Sequence, residues 1–138
     1  MRTPKEILEG SSTIAVVGAS RDPGKSAHSV PRQMQLHGWR IIPVNPFADE
    51  LFGEPVYRTL ADIPEHIDIV DVFRPSEDAA EIARQAAAIG AEALWLQQGI
   101  ASDEARAIAE EAGMDFVEDH CIAVERALSQ VSKLAAGN

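Results

Sequence analysis

Short apolar runs alternate with helical patterns along the chain, and this alternation is the feature that most constrains its fold. The apolar runs cover residues 13–17, 40–44, 67–73, 93–96 and 115–118. Helical patterns occupy residues 31–37, 79–89 and 122–134, with another starting at Ser102 and a short one opening the chain after Thr3. Right-handed crossovers between successive strands place parallel strands side by side and helices on both faces of the sheet. The sequence therefore predicts an α/β fold.

The length of the chain bounds how many such sheets it can form. With 138 residues and 46% hydrophobic content, it can build one substantial core but not two ordinary domains. Pro43 removes a backbone donor from the second run, which favours an edge position for that strand. A short extra strand is predicted at residues 55–57. We predict a single domain over residues 1–138, a Rossmann-like doubly wound parallel sheet of five to six strands.

Charge and cysteine content exclude several classes of function. The formal net charge of -10 argues against binding to nucleic acids and to anionic membrane surfaces. The start of the chain lacks the apolar region of a signal peptide, and no run is long enough to span a membrane. We therefore expect a cytoplasmic protein. Cys121 is the one cysteine, so this chain alone forms no disulfide framework and no all-cysteine zinc site. Asp119, His120 and Cys121 are too crowded in sequence to indicate a metal site, and we predict none.

The first predicted strand runs directly into a loop rich in glycine, serine and lysine. Gly18 follows the apolar run, and Lys25 and Ser26 lie further along the same loop. A turn of this kind, followed by a helix, presents backbone N–H groups to a phosphate. No Asp or Glu occurs from Pro23 to Ala48, although the chain as a whole is acidic. The loop is therefore predicted to bind an anion.

Two common nucleotide-binding motifs fit this loop poorly. A dinucleotide fingerprint requires Gly-x-Gly-x-x-Gly and an acidic residue at the end of the second strand. Here Ser20 replaces the second glycine, and the second strand ends in Val44-Asn45-Pro46, which disfavours NAD. A phosphate-binding P-loop requires four residues between Gly18 and Gly24-Lys25-Ser26. Five residues separate them in this chain, which disfavours a nucleotidase.

Five motifs taken in order resemble the stand-alone CoA-binding domain family. They are Val16-Val17-Gly18-Ala19-Ser20 with Lys25-Ser26, Ile42-Pro43-Val44-Asn45-Pro46, Asp71-Val72-Phe73-Arg74-Pro75, Trp95-Leu96-Gln97-Gln98-Gly99-Ile100 and Glu118-Asp119-His120-Cys121-Ile122. The resemblance covers nearly the whole chain. That family is similar to the amino-terminal domain of the succinyl-CoA synthetase α subunit and has a Rossmann-like fold. One position departs from the family pattern. Between the acidic residue and the cysteine we expect a basic residue, often Arg, whereas this chain has His120.

The resemblance implies coenzyme A as the ligand and gives roles to particular residues. Backbone groups of residues 18–20 would contact the pyrophosphate, and Lys25 would supply positive charge to a phosphate. By the same resemblance, the remaining contacts are Val44 and Asn45 to the adenosine, Phe73 and Arg74 to the pantetheine and phosphate region, and Gln98 and Gly99 to the far end of the arm. The predicted ligand-binding set is Gly18, Ala19, Ser20, Arg21, Lys25, Ser26, His28, Val44, Asn45, Pro46, Phe73, Arg74, Gln98 and Gly99.

The function predicted from these features is binding of CoA or acyl-CoA without catalysis by this chain alone. In the synthetases that it resembles, the phosphorylated histidine lies in a second domain. A carrier or regulatory role follows from this interpretation. The alternatives are a small NAD- or CoA-dependent enzyme and a regulatory subunit of a larger acyl-CoA enzyme. Whether the chain acts with a protein partner or as a homo-oligomer is left open by the sequence. Cys121 precedes the last predicted helix, at the edge where the ligand's thiol would end, which suggests a mixed disulfide with CoA as a hypothesis.

Overall fold

The computed structural model describes residues 1–134 and contains seven strands and five α-helices in that range. The strands are β1 (Thr13–Val17), β2 (Arg40–Val44), β3 (Glu50–Leu51), β4 (Glu54–Pro55), β5 (Ile69–Val72), β6 (Ala93–Leu96) and β7 (Asp115–Val117). The helices are α1 (Pro4–Glu9), α2 (Ser26–Leu36), α3 (Ala79–Ala88), α4 (Asp103–Glu111) and α5 (Ile122–Ser129). Short 3₁₀ turns occupy Leu60–Asp62 and Ser76–Asp78.

Five of the strands form one parallel sheet, and the other two form a separate small hairpin. The order across the sheet is β2-β1-β5-β6-β7, and all neighbouring pairs are parallel. β2 lies at an edge, as Pro43 predicted. Strands β3 and β4 pair with each other, and Tyr57 makes a single bridge to Val44. The predicted parallel α/β sheet is confirmed with five strands, while the short strand expected at residues 55–57 lies instead at Glu54–Pro55.

Apolar side chains cover both faces of the sheet. One cluster packs α3 and α4 against the sheet and includes Val70, Leu94 and Ala83. The other packs α1, α2 and α5 against the opposite face and includes Trp95, Met34 and Ile122. Because strand side chains alternate between faces, neighbours on one strand enter different clusters. This arrangement confirms a doubly wound sheet, with helices on both sides.

Local capping interactions explain where several helices begin. Thr3 accepts the N–H of Glu6, and the Glu6 carboxylate accepts the N–H of Thr3, which forms a reciprocal cap at the start of α1. The Ser102 hydroxyl accepts the Ala105 N–H at 3.1 Å and starts α4. The third predicted helix begins at Ala79, because Ser76–Asp78 forms a 3₁₀ turn. Of the helices over residues 1–134, none has the length and apolarity required to cross a bilayer.

Two predicted helix boundaries were wrong. The second helix begins at Ser26, five residues before the predicted start, and it contains Pro31 in its interior. The last helix ends at Ser129 because Gln130 adopts a left-handed conformation with φ 56°. Leu128, expected on the buried face of that helix, is 76% exposed, whereas Ile122 is fully buried. The helix predicted over residues 122–134 from its apolar spacing is therefore shorter in the structure, where α5 spans Ile122–Ser129.

Candidate functional site

The order of the strands creates a crevice between the ends of β1 and β5. These two strands are neighbours, but the chain winds from β1 to the β2 edge and later returns to β5 on the other side. Ligands of open α/β sheets bind at such a switch point, beyond the carboxyl ends of the strands. A cavity of about 800 Å³ opens there. It is lined by Val17, Gly18, Ala19, Ser20, Arg21, Lys25, Val44, Asn45, Pro46, Phe47, Ala48, Arg58, Arg74, Asp78, Glu81 and Ile82.

The loop after β1 approaches the loop after β5 so closely that only glycine fits at its start. Gly18 has φ +89°, and a Cβ at this position would lie 2.7 Å from the Phe73 carbonyl oxygen and 3.1 Å from Arg74 Cδ. Its N–H donates to the Val44 carbonyl at 3.1 Å. Gly18 therefore holds together the loops that follow β1, β2 and β5.

The start of α2 lies at this cavity without a side-chain cap. Lys25 is the N-cap residue, and no side chain forms a capping hydrogen bond there. Pro31 has no N–H, so it cannot donate to the carbonyl four residues earlier in the helix. That carbonyl, of Ala27, accepts the Ser20 N–H at 3.0 Å instead. The proline thus frees a helix carbonyl that anchors the glycine–serine loop beside the uncapped end of α2.

The lining of the cavity is more basic than the rest of the chain. It holds the cations of Arg21, Lys25, Arg58 and Arg74 together with two carboxylates, in a protein of formal net charge -10. One carboxylate, of Asp78, accepts a hydrogen bond from Arg74 Nη2 at 3.0 Å. Glu81 and Arg84 form a separate pair at 2.9 Å, and hydrogen bonding from Arg84 lowers the pKa of Glu81. Positive charge is therefore concentrated where an anion can reach it.

Arg58 is a lining residue that the sequence reasoning did not identify. Its guanidinium donates to the carbonyl oxygens of Asn45 at 2.9 Å and Ala48 at 2.6 Å, and to Asp49 Oδ1 at 2.8 Å. It lies outside the acid-free stretch, and its approach to the cavity depends on the path of the crossover after β2. The bridge between Val44 and Tyr57 fixes that path.

Asn45, which the resemblance places against the adenosine, lines the first cavity, but its side chain is already hydrogen-bonded within the protein. Its Nδ2 donates to the Ala19 carbonyl at 2.7 Å, and its Oδ1 accepts the N–H groups of Phe47 at 2.6 Å and Ala48 at 2.8 Å. The side chain therefore fixes the loops after β1 and β2 relative to each other. Val44 and Pro46 supply apolar surface beside it.

Several of the predicted residues surround a second cavity of about 570 Å³. It shares Arg74 with the first cavity and is bordered by Ser26, Ala27, Val30, Phe73, Arg74, Pro75, Gln97, Gln98, Ile100 and Cys121. Gln97 was not in the predicted set. If the strand continued, Gln97 and Gln98 would point to opposite faces of the sheet, so we expected only one of them to face the ligand. β6 ends at Leu96, so both glutamines reach the cavity.

Two of the predicted residues border neither cavity. The His28 ring donates from Nδ1 to the Ser20 carbonyl at 2.7 Å and packs against Phe52. It supports the first loop from behind. Gly99 has φ +87°, and its N–H donates to Asp119 Oδ1 at 2.7 Å, which joins the loops after β6 and β7.

A cluster of potential metal ligands lies just before β5 and β6, at the amino-terminal ends of the strands and away from the cavities. Atoms of His66, Asp68 and Glu92 lie within 4.8 Å of one another. His66 Nε2 is 2.7 Å from a Glu92 carboxylate oxygen, and this hydrogen bond raises the pKa of His66. Asp68 Oδ2 accepts the N–H groups of Ser12 and Thr13. These bonds account for the cluster as an ion-pair network far from the cavities.

Comparison with known proteins agrees with the geometry. The model of a family described as "CoA binding domain" matches residues 12–127. A Bacillus subtilis protein described only as uncharacterized, YneT, is 41% identical over 126 residues, which cover 91% of this chain and 93% of that protein.

Further relatives include solved structures and much longer enzymes. A structure from Thermus thermophilus, described as cell-free ID.343, has a TM-score of 0.87 at 39% identity and covers 93% of this chain and 99% of that one. An "Acetate--CoA ligase [ADP-forming]" from Methanocaldococcus jannaschii is 30% identical over 64 residues, which is 46% of this chain but 9% of the ligase. The resemblance stated from the five motifs is confirmed.

Proposed function

The chain belongs to the CoA-binding domain family, and from that premise we propose that it binds CoA or an acyl-CoA in the two joined cavities at the switch point. The observation that carries the proposal is the uncapped start of α2 beside four cationic side chains. The first-turn N–H groups of a helix and its dipole both favour an anion at this end. The phosphates of CoA match that requirement.

The charges around the cavity suit a ligand with several phosphates. Lys25, at the N-cap of α2, would contact the pyrophosphate together with the first-turn N–H groups of that helix. The predicted backbone contacts of the first loop are corrected in part, because the N–H groups of Gly18 and Ser20 already donate to the carbonyls of Val44 and Ala27. Arg74 lies between the two cavities and already holds one carboxylate, of Asp78, at 3.0 Å. A ligand phosphate can replace that carboxylate as its partner. Charge-assisted hydrogen bonds of this kind contribute roughly 1.5–3 kcal/mol each when they are shielded from water.

The shape of the site supports one orientation of the ligand. Val44 and Pro46 offer apolar surface for the adenosine at the β2 side of the first cavity. The pantetheine arm would then cross Arg74 and enter the second cavity beside Phe73 and Gln98. NAD fits less well because β2 ends without a carboxylate for the ribose, and the nearby Asp49 is bonded to Arg58 at 2.8 Å.

We infer a carrier or regulatory role rather than catalysis by this chain alone. The lining of the first cavity consists of cations, apolar side chains, the polar side chains of Ser20 and Asn45, and two carboxylates, of which Asp78 is paired with Arg74. The ligase among the relatives matches this chain over only 9% of its own length, so its reaction is not transferred here. Docking on a larger acyl-CoA enzyme would be consistent with this role.

Calorimetry and thermal unfolding test the proposal directly. CoA and acetyl-CoA should each bind and raise the melting temperature by several degrees, since a ligand at a hundredfold its Kd adds about 2.7 kcal/mol to the free energy of unfolding. NAD should give no comparable shift. An equal or larger shift with NAD, or no binding of CoA, would contradict the proposal.

A further inference from the structure

The second cavity joins the first where Arg74 lines both, and its walls differ in character from the phosphate end. Val30, Phe73 and Ile100 supply apolar surface, while Gln97 and Cys121 supply polar atoms. The cavity lies between the start of α2, the loops after β5 and β6, and the residue that precedes α5. It is therefore positioned to receive whatever extends from a ligand held in the first cavity.

Gln97 is a buried amide that presents an unused donor at this cavity. The residue is only 4% exposed. Its Oε1 accepts the Ile122 N–H at 3.0 Å, which fixes the other end of the amide as Nε2. Among residues 1–134, Nε2 forms no hydrogen bond to a protein acceptor. Nε2 is not one of the fully enclosed polar atoms, so it faces the open cavity, where it is free to donate to a ligand acceptor.

Cys121 borders the same cavity and is partly exposed. It is the N-cap residue of α5, and its side chain makes no capping hydrogen bond. Ile122, the next residue, is the one that Gln97 holds through its backbone N–H. The amide donor and the thiol are therefore tied to one short segment of backbone, and they face the same space.

We propose that Cys121, at the cavity where the proposed function places the pantetheine arm, forms a reversible disulfide with CoA. This inference rests on the proposed function. Gln97 Nε2 donates a hydrogen bond to an amide carbonyl of the pantetheine arm and positions the ligand's sulfur. The co-reactant is a CoA-type disulfide, so no further oxidant is required.

The exchange is balanced in atoms and electrons. The Cys121 thiolate attacks one sulfur of the CoA disulfide, a new S–S bond forms, and the original S–S bond breaks. The other half leaves as a CoA thiolate and takes up a proton from water. Cys121 is oxidised, and the departing half is reduced. A reducing thiol reverses the step by attack on the mixed disulfide.

Intact mass spectrometry measures this reaction without ambiguity because Cys121 is the one cysteine of the chain. The full chain is incubated with CoA disulfide or with 2-hydroxyethyl disulfide, a small disulfide that has no phosphate. We expect a CoA adduct that disappears with dithiothreitol and is absent in Cys121→Ser. Because the cavity holds the ligand, the initial rate of adduct formation with CoA disulfide should exceed the rate with 2-hydroxyethyl disulfide by about tenfold or more.

Two variants separate recognition from simple thiol reactivity. Gln97→Glu keeps an oxygen for the Ile122 N–H but loses the amide donor, and Lys25→Ala removes a phosphate contact. Each should lower the ratio of the two rates by about tenfold. Arg40→Ala is the matched control, since Arg40 pairs with Glu65 at 2.7 Å at the amino-terminal end of β2, the end away from the cavities. It should leave the ratio unchanged.

The outcomes distinguish this inference from the proposed function. Equal rates with both disulfides, or no CoA adduct, in a protein that binds CoA by calorimetry would overturn the disulfide inference and leave the proposed function intact. An unchanged ratio in Gln97→Glu would remove Gln97 from its positioning role and overturn the inference as stated. Absence of CoA binding by calorimetry would overturn both.

Discussion

Gly18 lies so close to Phe73 that a Cβ on the glycine would stand 2.7 Å from the Phe73 carbonyl oxygen. The contact joins the loops after β1 and β5, the two strands that flank the switch point. Glycine is thus required here both by its φ of +89° and by the absence of space. The same residue sets the position of the phosphate-binding loop, so a change in it should affect stability and ligand binding together.

Gly18→Ala should destabilise the protein by more than the ordinary cost of a left-handed alanine. That cost is roughly 1–2 kcal/mol, and the clash with Phe73 should add about 1–3 kcal/mol. Urea unfolding measures the loss. Gly113→Ala is the matched control, because Gly113 has φ +75° but a Cβ added there would meet nothing within 4 Å. Equal losses in the two variants would show that the close approach has no energetic consequence.

Lys25→Ala and Arg74→Ala should each weaken CoA binding by about tenfold or more, since each would lose a charge-assisted contact to a phosphate. Stability should change by less than about 0.5 kcal/mol, because the side chains of the Arg74–Asp78 pair are about half exposed to solvent. Calorimetry with CoA gives the affinities. An unchanged affinity in either variant would show that its contact is wrongly assigned.

Dephospho-CoA, which lacks the 3′-phosphate, identifies the phosphate that each cation contacts. A basic residue dedicated to the 3′-phosphate should show a smaller loss of affinity with this ligand than with CoA. Arg58→Ala belongs in the same series, although its bonds to Asn45 and Ala48 mean that its thermal unfolding must be measured alongside. Arg40 lies at the amino-terminal end of β2, away from the cavities. The Arg40→Ala variant should therefore bind both ligands with the affinities of the parent protein.

Ser11→Ala should destabilise the protein by about 1–3 kcal/mol, the cost of a buried donor without a partner. The Trp39 indole N–H donates to Ser11 Oγ at 3.0 Å, and both residues are 2% exposed. Chemical denaturation measures the effect, and intrinsic tryptophan fluorescence should shift with it. Ser12→Ala, at the exposed neighbouring position, is the control and should change stability by less than about 0.5 kcal/mol. Similar values for the two variants would mean that the indole finds another acceptor.

The strands were predictable because their apolar runs reflect burial on both faces of a parallel sheet. Fully buried residues such as Val70 and Trp95 leave a continuous apolar signal. Helix ends depended on interactions beyond sequence spacing. Pro31 suggested a helix start, yet α2 begins at Ser26. The helix accommodates the proline in its interior because the Ala27 carbonyl that the proline leaves free accepts the Ser20 N–H.

The loop after β1 could be assigned to the candidate site from the sequence because its glycine and lysine lie near one another in the chain. Arg58 was not, since the crossover after β2 brings it back to Asn45 over a separation of 13 residues. Gln97 was not identified either, because its role depends on where β6 ends and on its bond to Ile122. Contacts between distant loops therefore account for what the sequence reasoning missed.

Asp71 provides a pH-dependent test of the core. It is 1% exposed, lies between Val16 and Trp95 in the centre of the sheet, and its Oδ1 has no partner among residues 1–134. Burial raises its pKa well above 3.8. The folded state therefore binds a proton that the unfolded state has released, and the free energy of unfolding falls as pH rises from the unfolded pKa to the folded pKa. The slope in that window reaches about 1.4 kcal/mol per pH unit.

Asp71→Asn should remove this contribution, because an amide of similar size does not titrate. The difference in unfolding free energy between variant and parent should therefore shift in favour of the variant as pH rises, since only the parent must take up a proton on folding. Urea unfolding at pH values from about 5 to 8 measures the difference. Glu50→Gln, at an exposed position, serves as the control and should give a curve parallel to the parent. A constant difference for Asp71→Asn across that range would show that the Asp71 carboxyl has the same charge in both states.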